Sequence, residues 1–268
     1  MRIIQVSDTH LSCEHDHFQN NVDIIAADLA DQVADLFVHT GDVSMDGAGQ
    51  RRDLELSRQW NDRLPGEVVS IPGNHDVGDL ATNRPSQPVD DRRLAAWREV
   101  IGPDYWARAQ GGWQLIGLDA MLFGTGHPAE DEQFTWLGAV LQTELPIAVV
   151  VHKPVCIDDV DEGARGYWTV PPEPRARLLA LLSGKPVKMI ASGHLHIERH
   201  QVIDGIDHVW APAASFVVGA SQEDLGGTRR LGYVEHVFDA DRVTSRFVHP
   251  DGLEALLLDP VRDTIYPD

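Results

Sequence analysis

Short aliphatic runs recur along this chain, and small or polar residues come directly after each one. The runs fall at residues 3–6, 36–38, 68–71, 147–151 and 187–191. Near-continuous Val, Ile and Leu suits strands covered on both faces. Between the first two runs, Phe18, Val22, Ile25, Leu29 and Val33 recur at helical spacing. A second helix is predicted from about residue 50 to 63, with Leu56, Trp60 and Leu64 on one face. Residues 91–100 predict a third, with Leu94, Trp97 and Ile101 inward. Phe134, Leu137, Leu141 and Leu145 mark a fourth, and residues 175–183 a short fifth. The first 76 residues thus read β-α-β-α-β, a series with parallel strands. Residues 113–119 add a strand. From Arg199 on, the pattern is short strands at 208–211, 231–238 and 242–248, with Asp239-Ala240-Asp241 as a hairpin turn. No repeat or linker interrupts the chain, so residues 1–268 are expected to form one domain.

The polar segments at the ends of the aliphatic runs are chemically specific. They are Asp8-Thr9-His10, Gly41-Asp42, Gly73-Asn74-His75-Asp76, His152, and Gly193-His194-Leu195-His196. In open α/β sheets, ligands bind just beyond the carboxyl ends of the strands. Polar clusters at five such ends would converge on one edge. Asp, His and Asn without thiolates suit Mn, Fe or Zn rather than a structural zinc site. Asp8, His10, Asp42, Asn74, His152, His194 and His196 are more ligands than one ion takes. They fit two ions about 3.5–4 Å apart that share a carboxylate. If residues 193–196 run extended, both of their imidazoles lie on one side.

The order and spelling of these segments resemble the calcineurin-like metallophosphoesterases. Within them the chain looks most like the bacterial class III cyclic-nucleotide phosphodiesterases and glycerophosphodiesterases. The resemblance covers residues 2 to about 214. One segment departs: His152-Lys153-Pro154-Val155 stands where the family often has His-x-Pro-Pro. The ligand histidine survives, so the departure concerns loop shape and substrate choice. The resemblance implies an α/β (α+β) fold, a four-layer αββα sandwich of two mixed β-sheets, metallo-dependent phosphatase-like. It also implies that Asp8, His10 and His196 hold one divalent transition metal ion, and Asn74, His152 and His194 a second. Asp42 would bridge them. Mn or Fe is expected, with Zn as the remaining candidate. The implied reaction is hydrolysis of a phosphate diester, of cyclic-nucleotide or glycerophosphodiester type, by a hydroxide held between the ions. His75 would give a hydrogen bond or a proton to the phosphoryl or leaving oxygen, and Asp76 would orient His75. The rivals are a phosphomonoesterase, a nucleotide pyrophosphatase or a phosphonate esterase with the same metals. An inactive adaptor of the same fold is the different-class rival, and the filled ligand positions argue against it. Relatives in the family are often dimers, so a homodimer is an expectation.

Composition narrows the partners. The formal net charge is −20 at pH 7, which argues against a nucleic-acid polymer, since that needs a basic stripe. A small phosphoester is itself an anion, so it suits this chain only with the cations bound. No apolar stretch approaches the ~20 residues of a membrane span. The chain begins on a strand rather than a signal peptide, so a cytoplasmic location is expected. Cys13 and Cys156 are too few for a disulfide framework; both lie just past ligand positions and could approach each other there. Arg84 and Lys153 each read either as phosphate contacts or as solvated side chains. Residues 156–174 read as a lid whose Tyr167 and Trp168 either stack on substrate or pack down. His15 and His17 are candidates for the entrance, and His39 for the core. His127, His200, His208, His236 and His249 match no segment and read as structural or solvated.

Overall fold

The aliphatic runs become strands because both of their faces find apolar cover. A computed structural model describes residues 1–266. Strands β1 (Arg2–Val6), β2 (Leu36–His39) and β3 (Val68–Ser70) lie parallel, connected by helices α1 (Gln19–Leu29) and α2 (Arg51–Asn61). A single-turn helix α3 (Asn74–Val77) and α4 (Asp91–Val100) come next. The chain continues through β4 (Trp106–Gln110), β5 (Trp113–Leu118), α5 (Pro128–Val140), β6 (Ile147–Val151), α6 (Pro172–Leu182) and β7 (Val187–Ser192). It ends with β8 (Arg199–Ile203), β9 (Ile206–Trp210), β10 (Tyr233–Asp239), β11 (Arg242–Val248) and a short α7 (Arg262–Ile265).

One sheet has the order β11-β10-β1-β2-β3 and the other β4-β5-β6-β7-β9-β8. Both are mixed: β10 and β11 are antiparallel in the first, and β4 and β8 are antiparallel to their neighbours in the second. The alternation of strand side chains builds the layers. In β6, Ala148 and Val150 enter the core between the sheets, while Ile147, Val149 and Val151 face the helix layer with Trp97, Phe134 and Leu178. In β1, Ile3 joins the inter-sheet core, and Ile4 and Val6 pack with Val22, Ile25 and Leu29 of α1. The result is an αββα sandwich of two mixed sheets. No helix of the described residues is long and apolar enough to cross a membrane.

Two helices differ from their apolar spacing. α1 stops at Leu29, and Val33 is 85% exposed. α5 stops at Val140, short of Leu145. Two strands, β4 and β8, are not marked by an apolar run. Both lie at sheet edges; β4 carries Arg108 and Gln110 on one face, and β8 carries polar residues on both, with Val202 65% exposed. Each is closed by a tight turn with positive φ, Gly111-Gly112 for β4 and Asp204-Gly205 for β8, the conformation that two-residue hairpin turns require.

Candidate metal centre

The parallel strands deliver the seven candidate ligands to one place. Asp8 and His10 follow β1, Asp42 follows β2, Asn74 follows β3, His152 follows β6, and His194 and His196 follow β7. All seven are buried. Asp8, His10 and His196 form one group of side chains close enough to share an ion, and Asp42, His152 and His194 form another. His196 Nε2 lies 3.3 Å from Asp8 Oδ1, and His152 Nε2 lies 3.2 Å from Asp42 Oδ2. His10 Nε2 bridges the two groups, 3.9 Å from Asp8 Oδ1 and 3.7 Å from Asp42 Oδ2. A carboxylate placed between two such groups is what a shared ligand requires.

The backbone is bent to make this possible. Asp8, His10, Asp42, His194 and His196 all have positive φ, between 45° and 70°. Non-glycine residues rarely adopt that region, and it costs on the order of 1–3 kcal/mol at each position. Its concentration on five ligand candidates marks a functional centre. Gly73 and Gly193 are glycine for lack of room. A Cβ on Gly73 would stand 2.2 Å from Asp42 Oδ1, and one on Gly193 would stand 1.9 Å from Ser7 Oγ.

Each imidazole is oriented by its other nitrogen. Nδ1 of His152 meets the Thr40 carbonyl at 2.7 Å, and Nδ1 of His196 meets the Phe216 carbonyl at 2.8 Å. Nε2 of His194 meets the Tyr167 carbonyl at 2.9 Å. A carbonyl only accepts, so these nitrogens carry the hydrogen and the opposite ones are bare, as metal ligands must be. Asp8 Oδ1, Asn74 Oδ1 and His152 Nε2 are buried without a hydrogen-bond partner. Orphaned buried acceptors are costly. Asp8 Oδ1 and His152 Nε2 each lie in one of the two groups, and cations held there would satisfy them. The donor set, all nitrogen and oxygen, fits divalent transition metals.

Burial and neighbouring charges pull these groups in opposite directions. Burial lowers the His10 and His194 pKa values well below the usual imidazole range. Burial opposes charge on His152 as well, yet Asp42 and Asp8 lift it to about 9. Burial likewise opposes charge on Asp42, but His152, His75 and His10 hold its carboxyl well below the usual range. The carboxylates thus favour positive charge among these imidazoles, and acid competes with metal for them.

Asp76 takes a different part from the one expected. His75 is near enough to His10 and Asp42 to be counted with them, but its Nδ1 meets the Met45 carbonyl at 2.9 Å. Asp76 does not orient it. The Asp76 carboxylate accepts from the backbone N–H of Val43, Ser44 and Gly73 and from Ser44 Oγ. It therefore braces the Asp42 loop against the α3 turn. In a helical turn, consecutive side chains point in different directions, which is why Asp76 cannot reach the ring beside it.

The surrounding residues refine three further expectations. Lys153 is neither solvated nor a phosphate contact: its Nζ forms a buried ion pair with Asp79 at 2.7 Å. Arg84 reaches inward, with a guanidinium nitrogen 3.3 Å from His75 Nδ1. Residues 156–174 are a packed wall rather than a lid. Trp168 packs on the Ile157, Leu195 and Trp210 cluster, and Val170 N–H bonds the Pro154 carbonyl. His39 stays off the centre, its Nε2 on Thr9 Oγ1. Cys13 and Cys156 are free thiols, one exposed and one buried. A cavity of about 440 Å³ opens over the candidate ligands, lined among others by His15, His75, Arg84, Tyr167, Phe216 and Tyr266. Tyr266 carries no signal in the sequence; it lies far beyond the last motif, and only the fold returns it to the site.

Comparison with known proteins gives the family and the fold. A protein-family model described as calcineurin-like phosphoesterase matches residues 1–198. The serine/threonine-protein phosphatase CPPED1 of Pongo abelii is 25% identical over 227 residues, covering 80% of this chain and 67% of that protein. A cAMP/cGMP dual specificity phosphodiesterase of Mycobacterium tuberculosis is 28% identical over 244 residues, covering 85% of this chain and 71% of that protein. A dimetal phosphatase from Danio rerio superposes with a TM-score of 0.63 at 16% identity, over 93% of this chain and 97% of that one.

Proposed function

The chain belongs to the calcineurin-like phosphoesterase family, and on that premise we propose that it is a phosphodiesterase acting on small phosphate diesters. The observation that carries the diester reading is the cavity wall. Tyr167, Trp168, Phe216 and Tyr266 line the cavity over the centre, Arg84 is the cation beside His75, and Glu14, Asp42, Asp46 and Asp53 share the lining with Arg84 and Arg262. A diester brings one negative charge and two organic arms. A monoester brings up to two charges and one arm. Aromatic walls with more acidic than basic side chains in the lining suit the former, and so does a chain of net charge −20. The similar mycobacterial protein, described as a cAMP/cGMP phosphodiesterase, supports the same choice.

Asp8, His10 and His196 would hold one divalent cation and Asn74, His152 and His194 the other, with Asp42 shared. Bound there, the pair supplies Lewis acidity and a water acidic enough to ionise near neutral pH. The chain's own groups do the rest. The carbonyls of Thr40, Phe216 and Tyr167 fix the imidazoles in the ligating tautomer. Burial lowers the His75 pKa to about 4, against the pull of Asp42, so the resting ring is neutral. With Nδ1–H on the Met45 carbonyl, Nε2 is left for the phosphoester. When the substrate's negative charge stands beside the ring, Nε2 can take up a proton from solvent; that Nε2–H is then donated to the leaving oxygen, and the ring returns to neutral. Arg84 sits where it can receive a phosphoryl oxygen.

The test is turnover of bis(p-nitrophenyl) phosphate beside p-nitrophenyl phosphate by the Mn-loaded protein. The diester is expected to be preferred. His75→Ala should keep its metals and lose on the order of 10²-fold or more in turnover. A clear preference for the monoester would overturn the diester reading and point to a phosphatase.

A further inference from the structure

Two tyrosines outside every metal-ligand motif stand in matching positions on either side of the centre. Tyr167 Oη lies 2.8 Å from Asn74 Nδ2, and Tyr266 Oη lies 3.0 Å from His10 Nδ1. Asn74 belongs with the ligands of one proposed ion and His10 with those of the other.

The direction of each hydrogen bond is set by the ligand it touches. Asn74 Oδ1 is the buried, unpartnered atom of that side chain, so its Nδ2–H is the group that meets the phenol, and Tyr167 Oη accepts. His10 turns Nε2 toward Asp42 Oδ2 and Asp8 Oδ1. The ligating nitrogen is therefore Nε2, Nδ1 carries the hydrogen, and Tyr266 Oη also accepts. A phenol is both donor and acceptor. Both phenolic hydrogens are thus left over, and among the described residues neither oxygen has a further hydrogen-bond partner. Both side chains line the same cavity of about 440 Å³.

The rings are held in place. Tyr167 packs 4.7 Å from the His194 ring, with Lys153 Nζ 5.0 Å from its own centroid. Its backbone carbonyl is bound by His194. Tyr266 packs 4.6 Å from the His75 ring. Donors fixed before the substrate arrives cost no reorganisation when charge develops. They are also neutral, so they hold an anion without adding charge to the cation pair.

We propose that Tyr167 and Tyr266 are substrate-binding phenols, one on each side of the centre, donating to two different phosphoryl oxygens. The inference rests on the reading of the site as a phosphoester centre. Tyr266 lies outside the residues that match the family model, so this grip is a property of this chain's own C-terminal segment as well as of its 156–174 wall.

The experiment uses the full-length, Mn-loaded protein and its Tyr167→Phe, Tyr266→Phe and double variants. Phenylalanine keeps the ring packing and removes only the hydroxyl. Three quantities are read: metal equivalents per chain, orthophosphate affinity by titration calorimetry, and KM and kcat for bis(p-nitrophenyl) phosphate. Each single variant should keep its metals and lose about tenfold or more in orthophosphate affinity, as expected for a hydrogen bond to a charged group. The double variant should lose more than either. Full metal content with less than a threefold loss in either single variant overturns the proposal. So does loss of metal, which would make the phenols mere props for His10 and Asn74. A wild-type protein that neither binds orthophosphate nor cleaves any phosphoester would instead sink the reading of the site itself, and this inference with it.

Discussion

Replacing Lys153 by Met should be among the most damaging single changes outside the metal ligands. The Lys153 and Asp79 side chains are 3% and 2% exposed, and Nζ stands 2.7 and 2.8 Å from the two carboxylate oxygens. Burial lowers the Lys153 pKa, and Asp79 opposes that shift. Methionine fills the space of the stem but leaves the Asp79 charge buried alone. Breaking a buried pair from one side costs about 3–5 kcal/mol. Asp79 keeps donors from Leu80 N–H and Asn83 Nδ2, so the lower end, about 3 kcal/mol, is expected. For a chain of this size that corresponds to roughly 6–12 °C in unfolding temperature. The same loss loosens the 79–89 segment, which Asp79 closes by backbone bonds to Gln87 and Val89 and which carries Arg84. Urea unfolding of the wild type, Lys153→Met and the Lys153→Met/Asp79→Leu double variant measures it. The double variant should recover most of the loss, because an apolar pair leaves no orphaned charge. A single variant within about 1 kcal/mol of wild type, or a double variant no better than the single, would refute the reasoning.

Gly73→Ala places a Cβ 2.2 Å from Asp42 Oδ1 and 2.4 Å from Asp42 N; metal content should fall, with about 1–3 kcal/mol of stability lost to overpacking, read by elemental analysis and urea unfolding. His236 is buried, and burial lowers its pKa from 6.5 to about 3. Its contribution is therefore intact above pH 6.5 and is lost as pH falls towards 3; at pH 5 the loss is about 2 kcal/mol, so His236→Gln should flatten the decline in urea midpoint between pH 7 and 5. Stripping the ions with a chelator should lower the unfolding temperature by at least about 5 °C, the value for a site held at about 100 times its Kd, and readdition of Mn should restore it.

The ligand set is legible because its signal is local: an aliphatic strand, then a polar residue at its end. Asp8, Asp42, Asn74, His152, His194 and His196 need no knowledge of distant contacts. The features that escape the sequence depend on contacts between segments far apart in the chain. Lys153 finds Asp79 across 74 positions, and nothing at Lys153 itself distinguishes a buried lysine from a solvated one. Tyr266 meets His10 across 256 positions. The carbonyls of Thr40, Met45 and Phe216 orient imidazoles through backbone atoms that every residue possesses. Asp76 misleads because adjacency in sequence is not adjacency in space, and the α3 turn separates its side chain from that of His75. β4 and β8 leave no apolar run because edge strands are not covered by apolar layers on both faces.

The central claim is that one carboxylate, Asp42, joins two groups of ligands into a centre for a pair of ions. Metal equivalents per chain, measured by elemental analysis after reconstitution with Mn, test it most directly. Two per chain are predicted for the wild type, about one for Asn74→Ala, and well below one for Asp42→Ala. An Asp42→Ala protein that is folded and still holds two would contradict the account.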